Sequence, residues 1–192
     1  MLGHYLMDHT WAAGGASDEF PDAPAPRPSL GAPRRPNGLY TIRMKNSING
    51  PREKNYLRGF GFQGGGSTTF RMNAPGYGNA FKKAVLDPLT AINLVGFGEV
   101  LPRFDNFVEI DPTVVDKFGI PVLRITMTWG ENEKAMIPDM AVTATQMMEA
   151  AGARNIEPFT VLDRIPGYGI HELGTARMGR DPRTSVLNAF LM

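Results

Sequence analysis

Val122-Leu123-Arg124-Ile125-Thr126-Met127-Thr128 alternates apolar and polar side chains without a break. Leu123, Ile125 and Met127 point one way and Arg124, Thr126 and Thr128 the other, as in a strand with one buried and one wet face. That pattern favours an antiparallel sheet, because strands buried on both faces carry continuous apolar runs instead. A helical pattern follows. Met136, Met140, Ala144, Met147 and Ala151 recur every three or four residues and make one apolar stripe, and Gly152 suits the position just past a helix end. The methionines read as core filler, since an unbranched thioether fits irregular gaps. Pro138 sits either in the first turn of this helix or at a kink. Ile156–Leu162 supplies one more strand.

Towards the N-terminus, Tyr40, Ile42 and Met44 alternate with polar residues after Asn37-Gly38. Tyr56, Arg58, Phe60 and Phe62 then alternate with Leu57, Gly59, Gly61 and Gln63. The small residues on one face of that strand imply that something packs close to it, and Gly64-Gly65-Gly66 is expected to break it. Asn79–Leu86 reads as a short helix stopped by Asp87-Pro88. Leu94–Val100 and Phe107–Ile110 read as strands, the second closed by Asp111-Pro112. Residues 12–37 read as a Pro/Gly-rich loop, because six prolines between positions 21 and 36 remove backbone donors. Several strands, a helix and a further strand lack the βαβ alternation of a doubly wound fold. The fold class is therefore α+β, a mainly antiparallel sheet covered by helices.

Composition excludes several functions. Lys+Arg 20 against Asp+Glu 19 leaves a net charge of +1, which argues against a nucleic-acid footprint and a polybasic membrane anchor. No apolar run approaches the ~20 residues of a membrane-spanning helix. With no cysteine there is no disulfide, thiolate metal site or cysteine nucleophile. His4 and His9 are too far apart for facial metal ligation on a helix, and His171-Glu172 lacks the second histidine of a zinc-protease helix. No G-x-S-x-G elbow is present. Gly59-Phe60-Gly61-Phe62-Gln63-Gly64 matches dinucleotide-binding glycine spacing by chance, since it leads into Gly-Gly-Ser-Thr-Thr rather than a helix.

What remains is His171-Glu172-Leu173-Gly174-Thr175-Ala176-Arg177-Met178-Gly179. An imidazole, whose ordinary pKa is ~6.5, accepts protons at working pH. Glycines around it let backbone approach a ligand without a Cβ in the way. From chemistry alone, this is either a base or a hydrogen-bonded histidine in a turn.

The run from Ile170 to Gly179, continued by Asp181-Pro182-Arg183-Thr184-Ser185-Val186-Leu187-Asn188, resembles the C-terminal signature of the glucose–methanol–choline (GMC) flavin oxidoreductases. Its nearest likeness is to bacterial pyranose oxidases and glycoside or gluconate dehydrogenases. Gly3-His4-Tyr5-Leu6-Met7-Asp8-His9 resembles the entry to that family's substrate domain. Gly98–Pro102 and Asp116–Val122 resemble its sheet segments. The resemblance implies a substrate-binding domain over residues 1–165, and over 166–192 the start of a catalytic segment returning to an FAD-binding domain. It implies that His171 takes the hydroxyl proton of a sugar or alcohol substrate while hydride passes to FAD. Gly174 and Thr175 are implied on the cofactor side, and Gln63 on the substrate side.

The glycine fingerprint that grips FAD is not in this sequence, and a second catalytic His or Asn is expected beyond Met192. Both ends read as interior segments of a longer polypeptide, so this chain alone is expected neither to hold FAD tightly nor to turn over. The alternatives are a non-catalytic carbohydrate-binding β-module and a partner subunit of a flavoenzyme. The electron acceptor is not encoded in any of these residues. Arg177 is expected to form an ion pair with a carboxylate such as Glu99, and Asn188 to satisfy backbone in a turn. His4 and His9 are expected to be hydrogen-bonded structural residues.

Overall fold

Glycine-rich β3 (Phe60–Phe70) is the strand from which the sheet is best understood. In the computed structural model, which describes residues 1–21, 38–46, 52–70, 73–161 and 165–192, it pairs along its whole length with β4 (Pro88–Gly98). Gly64, Gly65 and Gly66 lie within that ladder opposite Leu94, Asn93 and Ile92, so the triplet does not end the strand. Backbone hydrogen bonds need no side chain, and pairing with β4 outweighs the poor strand preference of glycine.

The five-stranded sheet has the order β2-β3-β4-β1-β7, and every pairing is antiparallel. Its other members are β1 (Ala13–Glu19), β2 (Gly38–Tyr40) and β7 (Arg154–Thr160). Strand β1 overturns part of the loop expected over 12–37, because Ala13–Glu19 is an inner strand between β4 and β7. Residues 22–37 lie outside the described residues. Helix α1 (Gly78–Leu86) links β3 to β4 and buries none of its residues.

Helix α2 (Glu131–Ala150) covers one face of the sheet. Its stripe is the expected one at Met136, Met140 and Ala144, each fully buried, but the lower end turns to Met148 rather than Ala151. Phe60, Phe62 and Leu94 meet it from the sheet, and Tyr56, Leu6 and Trp129 close the rim. Pro138 lies well inside the helix, so its residue has no amide to bond the carbonyl one turn back. The buried Glu133 carboxylate accepts the amides of Gly130 (2.7 Å) and Leu101 (3.0 Å), which fixes the helix start to the chain after β4. At the other end the amides of Gly152 and Ala153 donate to Glu149 and Met148, closing the helix in a Schellman turn.

A separate two-stranded sheet joins β5 (Phe107–Val115) and β6 (Pro121–Thr126), with an Arg124–Glu109 ion pair across it. Strand β5 runs past Asp111-Pro112, with a register shift between Ile110 and Val115. The apolar face expected for β6 is buried only at Met127. Leu123 and Ile125 are exposed, as is Ile110 opposite Leu123.

Candidate active site

His171 is held by a pairing between the two ends of the chain. The Met7 amide donates to the Leu173 carbonyl (2.9 Å), the Leu173 amide to Met7 (3.0 Å), and the Gly3 amide to Thr175 (3.0 Å). Gly174 makes this approach possible. Its φ is +99°, and a Cβ there would lie 2.1 Å from the Tyr5 carbonyl oxygen.

This tether sets the imidazole over the sheet face opposite α2. The Phe97 ring lies nearly parallel to it, with centroids 5.9 Å apart. His9 meets it edge to face at 5.1 Å, and Trp11 stands at 6.4 Å. Trp11 also packs on Phe97 (4.1 Å), and Tyr40 reaches Phe97 from β2 (5.7 Å). The His9 Nδ1 lies 3.3 Å from the Gly98 carbonyl, its hydrogen-bonding partner. A cleft of about 440 Å³ opens beside this group, with His9, Tyr40, Phe97 and Gly61 among its lining.

Residues 41–45 fold over the strand beside that cleft. A Cβ on Gly61 would lie 2.8 Å from the Thr41 carbonyl, and one on Gly59 2.4 Å from that of Met44. This backbone is the close neighbour that the small residues of that face imply. Arg43 binds Glu99 through both carboxylate oxygens (2.9 and 2.8 Å), and Glu99 also accepts the Gly59 amide (3.0 Å). The Glu99 partner is therefore Arg43, not Arg177. Arg177 instead lies over the Tyr5 ring at 3.6 Å and donates to the Thr184 carbonyl (3.0 Å), because the tether draws it towards the N-terminal segment.

Gln63 pairs with Tyr40 on one side and Val95 on the other, so it shares the face of Phe97, one strand over and two positions along. Gln63 is exposed there. Gly174 and Thr175 lie in the tether, where the Thr175 carbonyl is used by Gly3. Asn188 accepts the amides of Phe190 (2.9 Å) and Met192 (3.1 Å), as a turn residue does. His4 stacks on Phe104 (3.9 Å), and its Nδ1 lies 2.7 Å from the Phe104 carbonyl. His9, expected to be structural only, stands beside His171 as well. Trp11, Phe97 and Tyr40 were not singled out from sequence. The only hint was the His9-x-Trp11 spacing, which puts two rings on one side of an extended segment. Among the described residues no cluster of His, Cys, Asp or Glu can hold a metal ion, and no helix is long and apolar enough to cross a membrane.

Comparison with known proteins agrees with this architecture. Residues 102–192 match the family model for GMC oxidoreductase. The chain is 30% identical over 123 residues to a gluconate 2-dehydrogenase flavoprotein of Pantoea cypripedii, covering 61% of this chain and 20% of that protein. It is 36% identical over 92 residues to a 2-methyl-1,2-propanediol dehydrogenase of Mycolicibacterium austroafricanum, covering 48% of this chain and 16% of that protein. The matched part is thus a fifth or less of these curated relatives. The signature around His171, the α+β fold and these matches agree on one point: residues 102–192 match the C-terminal domain of the GMC oxidoreductases.

Proposed function

We propose that this chain forms the substrate side of an FAD-dependent oxidoreductase that oxidises the CH–OH group of a sugar, glycoside or other alcohol, with His171 as the base. The observation that carries the reading is the exposed His171, set against Trp11 and against Phe97 and His9, the last two of which line the cleft. Gluconate and a propanediol, named for the two relatives, are both hydroxylated compounds, which supports the substrate class.

The chemistry assigned to each residue follows from its type. His171 accepts the hydroxyl proton, which polarises the carbinol carbon for loss of hydride. Tyr40 and Trp11, backed by the buried Phe97, present apolar ring faces to the C–H side of a sugar ring, while Gln63 offers an amide donor and acceptor to its hydroxyls. Residues 1–165 serve as the substrate-binding part and 166–192 as the segment returning towards the cofactor, with Gly174 and Thr175 on the cofactor side. The surface fits a flavin: Tyr168 (78% exposed), Ile170 (77%) and Leu173 (52%) flank His171 with apolar area that a flat ring system covers. FAD, when bound, supplies the hydride acceptor.

The test uses FAD-loaded protein made from the full reading frame and a panel of sugars, glycosides and simple diols. Anaerobic stopped-flow follows bleaching of the flavin. His171→Ala should slow the limiting reduction rate by ~10²–10⁴-fold, the range for loss of a general base. An unchanged rate removes His171 from the role.

A further inference from the structure

Among the described residues, Asp8 is the one buried carboxylate that touches the His171 segment. It is 3% exposed, and no ion pair among the described residues includes it. Its charge is met by backbone amides instead. Oδ1 accepts the N–H of His9 (2.7 Å) and of His171 (3.2 Å), and Oδ2 accepts the N–H of Gly169. Two of these donors flank Ile170, a β-branched residue with φ of +55°. That conformation is unfavourable for isoleucine and persists only where its surroundings enforce it. Amides on either side of a left-handed residue, converging on an anion, form a backbone nest. Here the anion is the protein's own side chain. Gly169 is cut to the same purpose, since a Cβ there would lie 2.5 Å from both Asp8 Oδ1 and the Trp11 ring.

We propose that Asp8 is the positioning residue of this site. Its carboxylate holds the strained turn at Ile170, and so aims the His171 imidazole, while its bond to the His9 amide fixes the neighbouring ring. This inference rests on the reading of His171 as the base. A carboxylate is needed because an asparagine would turn an N–H₂ towards an amide N–H, and alanine would leave buried donors unpaired.

The experiment has two arms. In the first, ¹⁵N-labelled chain is compared as wild type, Asp8→Asn and Gly169→Ala. The Gly169 and His171 amide protons should lose their carboxylate-bonded downfield shifts and exchange faster in Asp8→Asn, while Phe62 and Leu94 amides stay as they were. Gly169→Ala displaces the carboxylate without removing its charge and should give the same change at His171. Unmoved shifts at His171 in both variants overturn the proposal.

In the second arm, Asp8→Asn, Asp8→Ala, Ile170→Gly and the Asp8→Ala/Ile170→Gly double variant are made in the FAD-loaded protein. The limiting rate of flavin reduction should fall by ~10–100-fold in the single Asp8 variants, as for an ångström-scale misplacement. Apparent substrate affinity should change little. Ile170→Gly should restore part of the rate in the double variant, because glycine adopts the left-handed turn without being held. Uniform loss of rate and affinity, with no rescue, identifies a merely structural aspartate. If His171→Ala slows reduction and Asp8→Asn does not, positioning fails alone. If His171→Ala leaves the rate unchanged, the base reading fails, and the amide shifts still report on the nest.

Discussion

Replacing Gly174 with alanine should release the His171 segment while leaving the sheet intact. Two costs add at this position. An L-residue on the left-handed side of φ costs ~1–2 kcal/mol, and at +99° the backbone of Gly174 is well into that territory. The new Cβ also falls 2.1 Å from the Tyr5 carbonyl oxygen, about an ångström inside ordinary contact, with Met7 Cε at 3.0 Å. Backbone atoms on both sides must part, and that strains the three hydrogen bonds linking Gly3 and Met7 to Leu173 and Thr175. At ~0.5–1.5 kcal/mol net for each bond weakened, the closed tether is destabilised by about 3 kcal/mol or more together with the strain. That is ~10²-fold in a local opening equilibrium, since about 1.4 kcal/mol is a factor of ten.

Amide hydrogen exchange measures it directly. The Met7 and Leu173 amides should lose ~10²-fold of protection, and those of β3 and β4 should lose little. Gly119→Ala is the control. Gly119 also has positive φ (+80°) but nothing within 4 Å of its would-be Cβ, so it carries the strain without the clash. Equal effects of the two substitutions, or a uniform loss across the core strands, would refute the reasoning.

Two further substitutions concern the core. Tyr56→Phe removes a 2.6 Å bond from a buried hydroxyl to Asp139 and should cost ~1.5–3 kcal/mol in urea titrations, as for bonds to charged groups. The pH dependence has a definite sign. Burial first, and the Asp139 bond second, push the Tyr56 pKa far up, so the folded chain keeps that proton where the unfolded chain loses it. The stabilisation is complete below the unfolded value of ~10 and fades as pH rises beyond it. The variant should show a shallower alkaline loss of stability. Met140→Ala empties a fully buried position beneath β4, where the sulfur accepts the Thr10 hydroxyl (3.5 Å), and should cost ~2–5 kcal/mol in the same assay.

Elements with a strong period were legible in the sequence. The α2 stripe and the β6 alternation are visible because each buries or exposes a fixed set of side chains. Strand β1 was hidden for a physical reason. Ala13-Gly14-Gly15-Ala16 carries no alternation because it lies beneath α2 at close range, with Met148 Sδ only 3.1 Å from a would-be Cβ on Gly15. Small residues mimic a loop there, and again at Gly64–Gly66. For β6 the pattern is right, but Leu123 and Ile125 on its apolar face are exposed and find no cover among the described residues. His171 was found through its local signature. Asp8, Trp11 and Phe97 were not, because what joins them to His171 is packing across most of the chain, and no local pattern encodes that.

The tether has a kinetic meaning too. The bond from the His171 amide to Asp8 spans 163 positions. Closing so long a loop from an unfolded chain costs roughly 4–5 kcal/mol of entropy by the logarithmic rule, more than the few bonds of the tether return by themselves. The sheet and α2 must already have shortened that path before the ends meet. Substitutions in the tether should therefore speed unfolding and barely touch the folding rate, the signature of contacts absent from the transition state. His171 should therefore join Phe97, His9 and Trp11 after the sheet has formed, so a chain can carry its whole sheet and still have no site.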